Sequence, residues 1–201
     1  MIDAGALKGA IRRLAAAMDR EAVALNEADG ALGDGDLGIT MTRGMQAVSA
    51  LADDLPADLG QAFLQCAQAF TKTSGSSYGT LLATGLMAAA KALRGREAVD
   101  APEVSGLLAA ARDAMRARGK AEIGGKTVLD SLDALARATA GLSDPQEVAR
   151  AAREAAREAQ EAFRDRPATV GRARIFADKS RTMPDPGMLA MTRIVEAVTE
   201  A

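Results

Sequence analysis

The sequence predicts an all-α protein built as a bundle of about eight antiparallel helices, and three observations support this fold class. Apolar residues make up 48% of the chain, and in eight successive segments they recur at the three- and four-residue spacing of one helix face. No segment of useful length alternates apolar and polar residues as a half-buried strand would. Only 2% of the residues are aromatic and Trp is absent, so the core must consist of Ala, Leu, Met and Val, which favour closely packed helices.

The apolar spacing locates each helix in turn, and the short connections between them favour antiparallel neighbours. The inward positions, helix by helix, are Leu7, Ile11, Leu14, Met18, Ala22 and Leu25; Met41, Met45 and Val48; Leu59, Phe63, Ala67 and Phe70; Leu82, Leu86 and Leu93; Val104, Leu108, Ala111 and Met115; Val128, Leu132 and Leu135; Val148, Ala152, Ala155, Ala159 and Ala162; and Met191, Ile194 or Val195, and Val198. The seventh helix begins near Ser143, with a proline at its first turn and Gln146 at the capping-box position. The eighth begins at Asp185. A chain of this length can bury one core, so a single domain over residues 1–201 is expected.

The composition excludes several classes of function. The formal net charge is -2, so the chain lacks the basic field that nucleic acid or an anionic membrane would require. No uncharged apolar run reaches the length of a membrane span and no leader pattern is present, which predicts a cytoplasmic protein. The one cysteine, Cys66, forbids a disulfide within the chain and is expected to be a buried spectator thiol. Because the chain has no His, any chemistry must use carboxylates, hydroxyls, basic side chains and hard cations.

An acidic, glycine-rich segment between the first two helices is the strongest candidate site. Asp29 continues the apolar stripe of the first helix and should point inward at its end, whereas Asp34 and Asp36 lie in a tight glycine-rich turn. Three carboxylates brought together repel one another unless a cation joins them, and hard oxygen ligands suit Mg²⁺ or Ca²⁺. An EF-hand is excluded, because Gly38 and Met45 occupy positions where it needs ligands. The alternative is local: Asp36 caps the second helix and Asp34 supports a turn.

Three further segments lie just before predicted helices and could meet a phosphate group. Residues 73–80 combine glycines with small hydroxyl residues, which expose backbone N–H groups at a helix N-terminus. Residues 119–127 end like a Walker A loop, but Lys120 stands where the first glycine is required and no strand precedes it, so a P-loop is excluded; Lys126 would still be available to a phosphate. Residues 164–187 form a long basic connection, which is usually either functional or disordered. The alternatives are a polar turn, a helix stop and restart, and a solvated loop that ends in an N-cap.

Taken in order, these four segments resemble the L subunit of dihydroxyacetone kinase, the DhaL or DAK2 family, over nearly the whole chain. The motifs that carry the resemblance are Asp29 with Gly33-Asp34-Gly35-Asp36-Leu37-Gly38, Met41-Thr42-Arg43-Gly44, Thr73-Ser74-Gly75 with Tyr78-Gly79-Thr80, Gly124-Gly125-Lys126-Thr127, and Gly171-Arg172-Ala173 followed by Asp185-Pro186-Gly187. Three departures leave the metal ligands unchanged but bear on the substrate. Leu37 replaces a His, Gly125 replaces a frequent Asp, and Thr182-Met183-Pro184 replaces a His-Gln type approach to the last motif.

The resemblance implies an eight-helix antiparallel up-and-down barrel with a nucleotide, ADP or ATP, at one end. It also implies that Asp29, Asp34 and Asp36 hold two Mg²⁺ ions that bind the nucleotide phosphates. The residues that it places around the nucleotide are Leu37, Gly38, Ile39, Thr40, Thr73, Ser74, Gly119, Val128, Arg172, Asp185, Pro186 and Gly187. No catalytic residue is expected on this chain, because in this family the ketose site and its catalytic histidine belong to a separate K subunit.

The implied function is that of the nucleotide- and magnesium-binding subunit of a multi-component kinase for dihydroxyacetone (glycerone), or for another ketose such as a tetrulose. Two modes remain open: ATP is consumed, or bound ADP is recharged by a phosphotransferase-system phosphocarrier. The expected partners are the K subunit, that phosphocarrier and, in a homodimer, a second copy of the chain. The alternative functions are a nucleotide-dependent regulatory protein without catalysis and a purely structural Ala-rich bundle.

Overall fold

Residues 1–200, which the computed structural model describes, form a closed ring of long helices. The nine α-helices of this part are α1 (Ala4–Leu32), α2 (Leu37–Ser49), α3 (Leu59–Thr73), α4 (Ser77–Ala92), α5 (Val104–Gly119), α6 (Val128–Ala138), α7 (Pro145–Ala162), α8 (Ala177–Arg181) and α9 (Pro186–Thr199). The short α8 lies within the connection from α7 to α9. Each of the other eight helices packs against the one before and the one after it, and α9 closes the ring against α1. The predicted all-α, eight-helix barrel is confirmed.

Neighbouring helices run in opposite directions around the ring. Near the start of α5, the hydroxyl of Ser105 donates a hydrogen bond to the carbonyl of Ala136 near the end of α6, at 2.8 Å. In α7, Arg153 donates to the carbonyl of Thr199 at the end of α9, at 2.7 Å. The chain therefore reverses at each connection, and successive connections alternate between the two ends of the barrel.

Small and flexible apolar side chains fill the barrel. One buried cluster joins α1, α2, α3 and α9, and a second joins α5, α6, α7 and α9; Met18, Phe70 and Leu135 are among the largest fully buried side chains. A glycine allows α1 and α2 to approach closely, because a Cβ atom on Gly38 would lie 2.0 Å from the carbonyl oxygen of Ala22. This close approach fixes the start of α2 against α1, where the acidic segment lies.

Two very short strands pair at the end of the barrel where α1 begins. Strand β1 (Ile2–Asp3) runs antiparallel to β2 (Ala98–Val99), with Ile2 opposite Val99. The sequence predicted no strand, because two residues are too few to show an alternating pattern.

Two expectations from composition can be compared with the fold. Cys66 is buried, as predicted for a spectator thiol, and burial raises the pKa of its thiol to about 11. None of the helices in residues 1–200 combines the length and the apolar character that a bilayer-spanning segment requires.

The start of α7 and the connection that follows α7 differ in detail from the prediction. The N-cap of α7 is Asp144, whose side chain accepts the amide of Gln146 at 3.2 Å, so the capping box that would start at Ser143 does not form. The long basic connection is not irregular throughout, because it contains a 3₁₀ helix (Arg172–Phe176) followed by α8. Both elements are only five residues long, too short to show helical periodicity in the sequence.

Candidate functional site

Four connections lie at one end of the barrel, because antiparallel helices reverse direction at every connection. They are the connections α1–α2, α3–α4, α5–α6 and α7–α9, at residues 33–36, 74–76, 120–127 and 163–185. These connections contain the four segments that the sequence analysis selected, and we refer to them together as the site end. Hydrogen bonds join these connections and the helix starts beside them: the amide of Thr169 donates to the carbonyl of Gly125 at 3.2 Å, and the hydroxyl of Tyr78 at the start of α4 donates to the carbonyl of Gly187 at the start of α9, at 3.4 Å.

The three predicted metal ligands come together at the site end. Asp29 lies in the last turn of α1, Asp34 in the following connection, and Asp36 at the N-cap position of α2. One carboxylate oxygen from each residue lies within 4.8 Å of the others. The amide of Asp36 donates to Asp29 Oδ2 at 3.0 Å, and a Cβ atom on Gly33 would lie 2.6 Å from Asp29 Oδ1. Gly35 has a φ of +78°, in the left-handed region that favours glycine. The glycines therefore let the connection fold back over Asp29.

The first amides of α2 are capped by Asn26 in α1, and not by Asp36. Asn26 Oδ1 accepts the amide of Gly38 at 2.8 Å and that of Ile39 at 3.2 Å, whereas Asp36 makes no side-chain cap hydrogen bond. The interpretation of Asp36 as a mere helix cap is therefore wrong, and its carboxylate is left to another partner. Sequence reasoning missed Asn26, although its position three residues before Asp29 puts both side chains on one face of α1.

The acidic cluster concentrates negative charge that has little to balance it. Desolvation raises the pKa of Asp36 above its ordinary value, and the charges of Asp34 and Asp29 raise it further, while Arg172 lowers it. Arg172 forms an ion pair with Asp34. A dication would turn this repulsion into coordination, and the all-oxygen donor set is of the kind that Mg²⁺ prefers. The residues present therefore fit a hard divalent cation.

A buried hydroxyl without a partner lies at the entry to α4. Ser74 Oγ has no hydrogen-bond partner within the described residues, and a Cβ atom on Gly79 would lie only 1.7 Å from it. The neighbouring hydroxyls are engaged: that of Thr73 donates to the carbonyl of Phe70 at 3.1 Å, and that of Ser76 accepts the amide of Gly79 at 3.1 Å. Unpaired buried hydroxyls are uncommon, so Ser74 is the side chain of this connection to which a ligand could supply a partner.

Lys126 is not available to a phosphate, and the prediction from its glycine-rich segment is wrong. Its residue is 2% exposed, and Nζ donates to three main-chain carbonyls, those of Ser180 at 2.6 Å, Arg166 at 3.1 Å and Arg181 at 3.4 Å. All three carbonyls belong to the connection between α7 and α9. The ammonium group therefore fixes the base of that connection against the start of α6.

Asp185 is the N-cap of α9, as predicted, and its pKa is strongly shifted. Its Oδ1 accepts the amide of Met188 at 2.8 Å. Desolvation raises the pKa of Asp185 to about 7, although the amides of Met188 and Gly187 and the charge of Lys126 oppose this rise. Burial, together with the charge of Asp185, also raises the pKa of the Tyr78 phenol. A carboxyl group with a pKa near neutrality is therefore built into the site end.

The other predicted nucleotide-binding residues differ in how much of their surface is exposed. Leu37, Gly38, Thr40, Val128 and Pro186 are buried, so each of them presents little surface to a ligand in this structure. The amides of Gly38 and Ile39 are already bonded to Asn26. Ile39 is 44% exposed, and Gly119, at the end of α5, and Arg172 are exposed as well. These three residues, the acidic cluster and the Asp185 turn all lie at the site end.

Comparison with known proteins gives the family. A family model described as the DAK2 domain matches residues 31–200. The chain belongs to the DAK2 domain family. Asp34, Asp36, Arg172 and Asp185 lie within the matched residues, and Asp29 precedes them.

The proteins that are similar in sequence to this chain include both short subunits and longer kinases. Triokinase/FMN cyclase of Homo sapiens is 32% identical over 182 residues, which is 88% of this chain and 31% of that protein. L-erythrulose 1-kinase of Mycolicibacterium smegmatis is 33% identical over 183 residues, 88% of this chain and 32% of that protein. The chain thus spans about a third of the length of these relatives. The ADP-binding subunit DhaL of PEP-dependent dihydroxyacetone kinase 1 from Listeria innocua is 28% identical over 177 residues, 88% of this chain and 85% of that subunit.

The fold is also that of a solved kinase. The crystal structure of the dihydroxyacetone kinase from C. freundii in complex with AMP-PNP and Mg²⁺ matches with a TM-score of 0.75 at 24% identity, over 96% of this chain and 33% of that one. At this identity, the likeness concerns the fold.

Proposed function

We propose that the chain binds ADP or ATP with Mg²⁺ at the site end and serves phosphoryl transfer to a small ketose held by a K-type partner subunit. The observation that carries this proposal is the meeting of three carboxylates within 4.8 Å at the barrel end that also holds Arg172. Family membership supports it, as do the ADP-binding subunit of Listeria innocua and the AMP-PNP and Mg²⁺ complex of the C. freundii kinase.

The proposed roles follow from the chemistry of each group. Asp29, Asp34 and Asp36 would hold two Mg²⁺ ions, which supply neutralisation of phosphate charge when they are bound. Arg172 would add a guanidinium, which suits phosphate oxygens because of its planar set of donors. The hydroxyl of Ser74 would donate to a phosphate oxygen or a bridging water, and the exposed side chain of Ile39 would offer apolar surface to the base.

The acceptor and the phosphate donor are proposed from the relatives and from the composition. Without His, the chain can carry no phosphohistidine, so the ketose site and any recharging step would reside on partner proteins. Dihydroxyacetone and a tetrulose are the candidate acceptors, since the named relatives include an L-erythrulose 1-kinase and a dihydroxyacetone kinase subunit. As a subunit of a sugar kinase, the protein would work in the cytoplasm.

Ligand-dependent unfolding tests the nucleotide and metal site. At 100 times the dissociation constant, ADP with Mg²⁺ should stabilise the fold by about 2.7 kcal/mol, and most of this gain should vanish with EDTA or in Asp34→Ala. Asp54→Asn is the matched control, because it removes an exposed carboxylate from a connection at the opposite end. A parent protein that ADP leaves unchanged with Mg²⁺ present would contradict the proposal.

Reconstitution tests the reaction. The chain, a K subunit of this family and ATP should convert dihydroxyacetone or L-erythrulose to the phosphate ester, and Asp34→Ala should abolish this conversion. Nucleotide binding without any turnover, with both ketoses and with either ATP or a recharging phosphocarrier, would favour the regulatory alternative.

A further inference from the structure

We propose that Arg172 is a built-in counter-cation of the acidic cluster, which Mg²⁺ displaces from Asp34 and which then binds the phosphates of the incoming nucleotide. This inference rests on the proposed function, because it requires a divalent cation and a polyphosphate at the site end. It adds an exchange of partners: the same guanidinium competes with the metal ion and cooperates with the nucleotide.

The contact itself is the first observation. Among the ion pairs of residues 1–200, only the one between Arg172 and Asp34 joins a basic side chain to the acidic cluster. The side chain of Arg172 is 60% exposed and that of Asp34 is 46% exposed. Ion pairs this open to water are weak and exchange readily, so the pairing can be broken by a ligand that binds Asp34 more strongly.

The surrounding packing is the second observation, because it holds Arg172 over the cluster. The next residue, Ala173, is buried in a small apolar cluster with Leu32, at the end of α1, and Ala168. Lys126 fixes the base of the same connection through three carbonyls. The backbone at Arg172 is thus anchored on both sides, and the long arginine side chain is the part that can swing without unfolding the connection.

The balance of charge gives the direction of the exchange. Without metal ions, the three carboxylates outweigh the one guanidinium, so Arg172 is attracted to the cluster. Two dications would reverse the sign of the cluster and repel Arg172 from it. The phosphates of the nucleotide would then be the nearest negative charge, and a guanidinium binds phosphate oxygens well. Arg172 therefore weakens the binding of the bare ion and strengthens the binding of the ion together with nucleotide.

Titration of the metal ion alone tests the first half of this exchange. The binding of Mn²⁺, followed by electron paramagnetic resonance, should be roughly two- to five-fold tighter in Arg172→Gln than in the parent, because the weak competing ion pair is gone. Arg172→Lys should stay close to the parent, since it keeps the charge. Arg174→Gln is the matched control, because Arg174 lies in the same 3₁₀ helix and forms no ion pair within residues 1–200.

Titration of ADP at saturating Mg²⁺ tests the second half. Arg172→Gln should bind ADP roughly ten-fold more weakly, because a charge-assisted bond to phosphate is lost, and Arg174→Gln should bind like the parent. Opposite changes for the ion and the nucleotide support the exchange. If ADP binding persists but Mn²⁺ affinity is equal in parent and Arg172→Gln, lower in the variant, or undetectable in both, the exchange is overturned and the proposed function stands. If no protein binds ADP with Mg²⁺, the proposed function falls as well.

Discussion

The ionisation of the Asp185 carboxyl group is subject to opposing effects. As the N-cap of α9 it accepts the Met188 amide, which favours the ionised carboxylate, as does the nearby charge of Lys126. Its burial has the opposite effect and dominates, so the pKa of Asp185 rises to about 7. The folded protein therefore keeps a proton on this carboxyl group at pH values where an unfolded chain has released it.

The stability of the fold should accordingly fall as the pH rises from about 4 to about 7, because over this window the folded state binds more protons than the unfolded state. Asp185→Asn should remove this component while its amide oxygen still caps α9. A pKa rise from 3.8 to about 7 corresponds to at most about 4 kcal/mol, so the variant should gain part of that amount at pH 8 and little at pH 4. Urea unfolding at the two pH values measures the difference.

Asp144→Asn provides the control for this experiment. Asp144 is the N-cap of α7 with the same kind of bond to a main-chain amide, but it is exposed. The change there shows what replacing a capping carboxylate by an amide does on its own at each of the two pH values. An Asp185→Asn protein whose stability follows the parent's pH profile would show that the carboxyl group is not the source.

At the scale of elements, Lys126 couples the start of α6 to the connection between α7 and α9. Its three carbonyl acceptors lie 40 to 55 positions later in the chain. Burial lowers the pKa of Lys126, while the charges of Asp185 and Asp165 counteract this. The ammonium group thus supplies main-chain carbonyls of this connection with a hydrogen-bond donor, which a helix or a sheet would otherwise provide.

Lys126→Met should keep the length of the side chain but leave these carbonyls without their donor. We expect a loss of roughly 1–3 kcal/mol in the free energy of unfolding, and faster hydrogen exchange in residues 163–181. Lys120→Met removes the same charge from an exposed position in the same connection and should cost little. Exchange rates that match the parent in residues 163–181 would show that other contacts hold the connection.

The contact between α1 and α2 depends on the absence of a side chain at Gly38. In Gly38→Ala the new Cβ would meet the carbonyl oxygen of Ala22 at 2.0 Å, so the helices must separate, at a cost of roughly 1–3 kcal/mol. Gly106→Ala is the matched change in α5, where nothing lies within 4 Å of the new atom; it should stabilise the fold by up to about 1 kcal/mol. Chemical denaturation compares the two, and equal effects would contradict the close contact.

At the scale of the whole molecule, helix order could be predicted from the sequence because it depends on local repetition. Each helix shows its own apolar face, and an even number of antiparallel helices sends every second connection to the same end. The four selected segments therefore had to meet once the ring closed. Asp29, Asp34 and Asp36 come together because they lie at this end of the ring and are joined by a short turn. Their role as Mg²⁺ ligands stays a prediction.

Features that depend on distant partners could not be predicted. The glycines before Lys126 suggest a side chain that is available to a phosphate, and only its distant carbonyl acceptors show that this side chain is buried. Asn26 takes the capping role from Asp36 because α1 and α2 approach closely, which the spacing of apolar residues does not reveal. The pairing of β1 with β2 likewise joins residues nearly a hundred positions apart.

The closed ring also allows the order of the helices along the chain to be changed by circular permutation. The start of α1 and the end of α9 lie at the same end of the ring, since Arg13 of α1 donates to the carbonyls of Ala197 and Val198, and this end is away from the site end because the ring contains an even number of long helices. A short linker could therefore join them, and the backbone could be opened instead at residues 139–144, between α6 and α7. Such a circular permutant would leave all four site-end connections intact, and a cargo domain attached at the new opening would stay clear of any bound nucleotide.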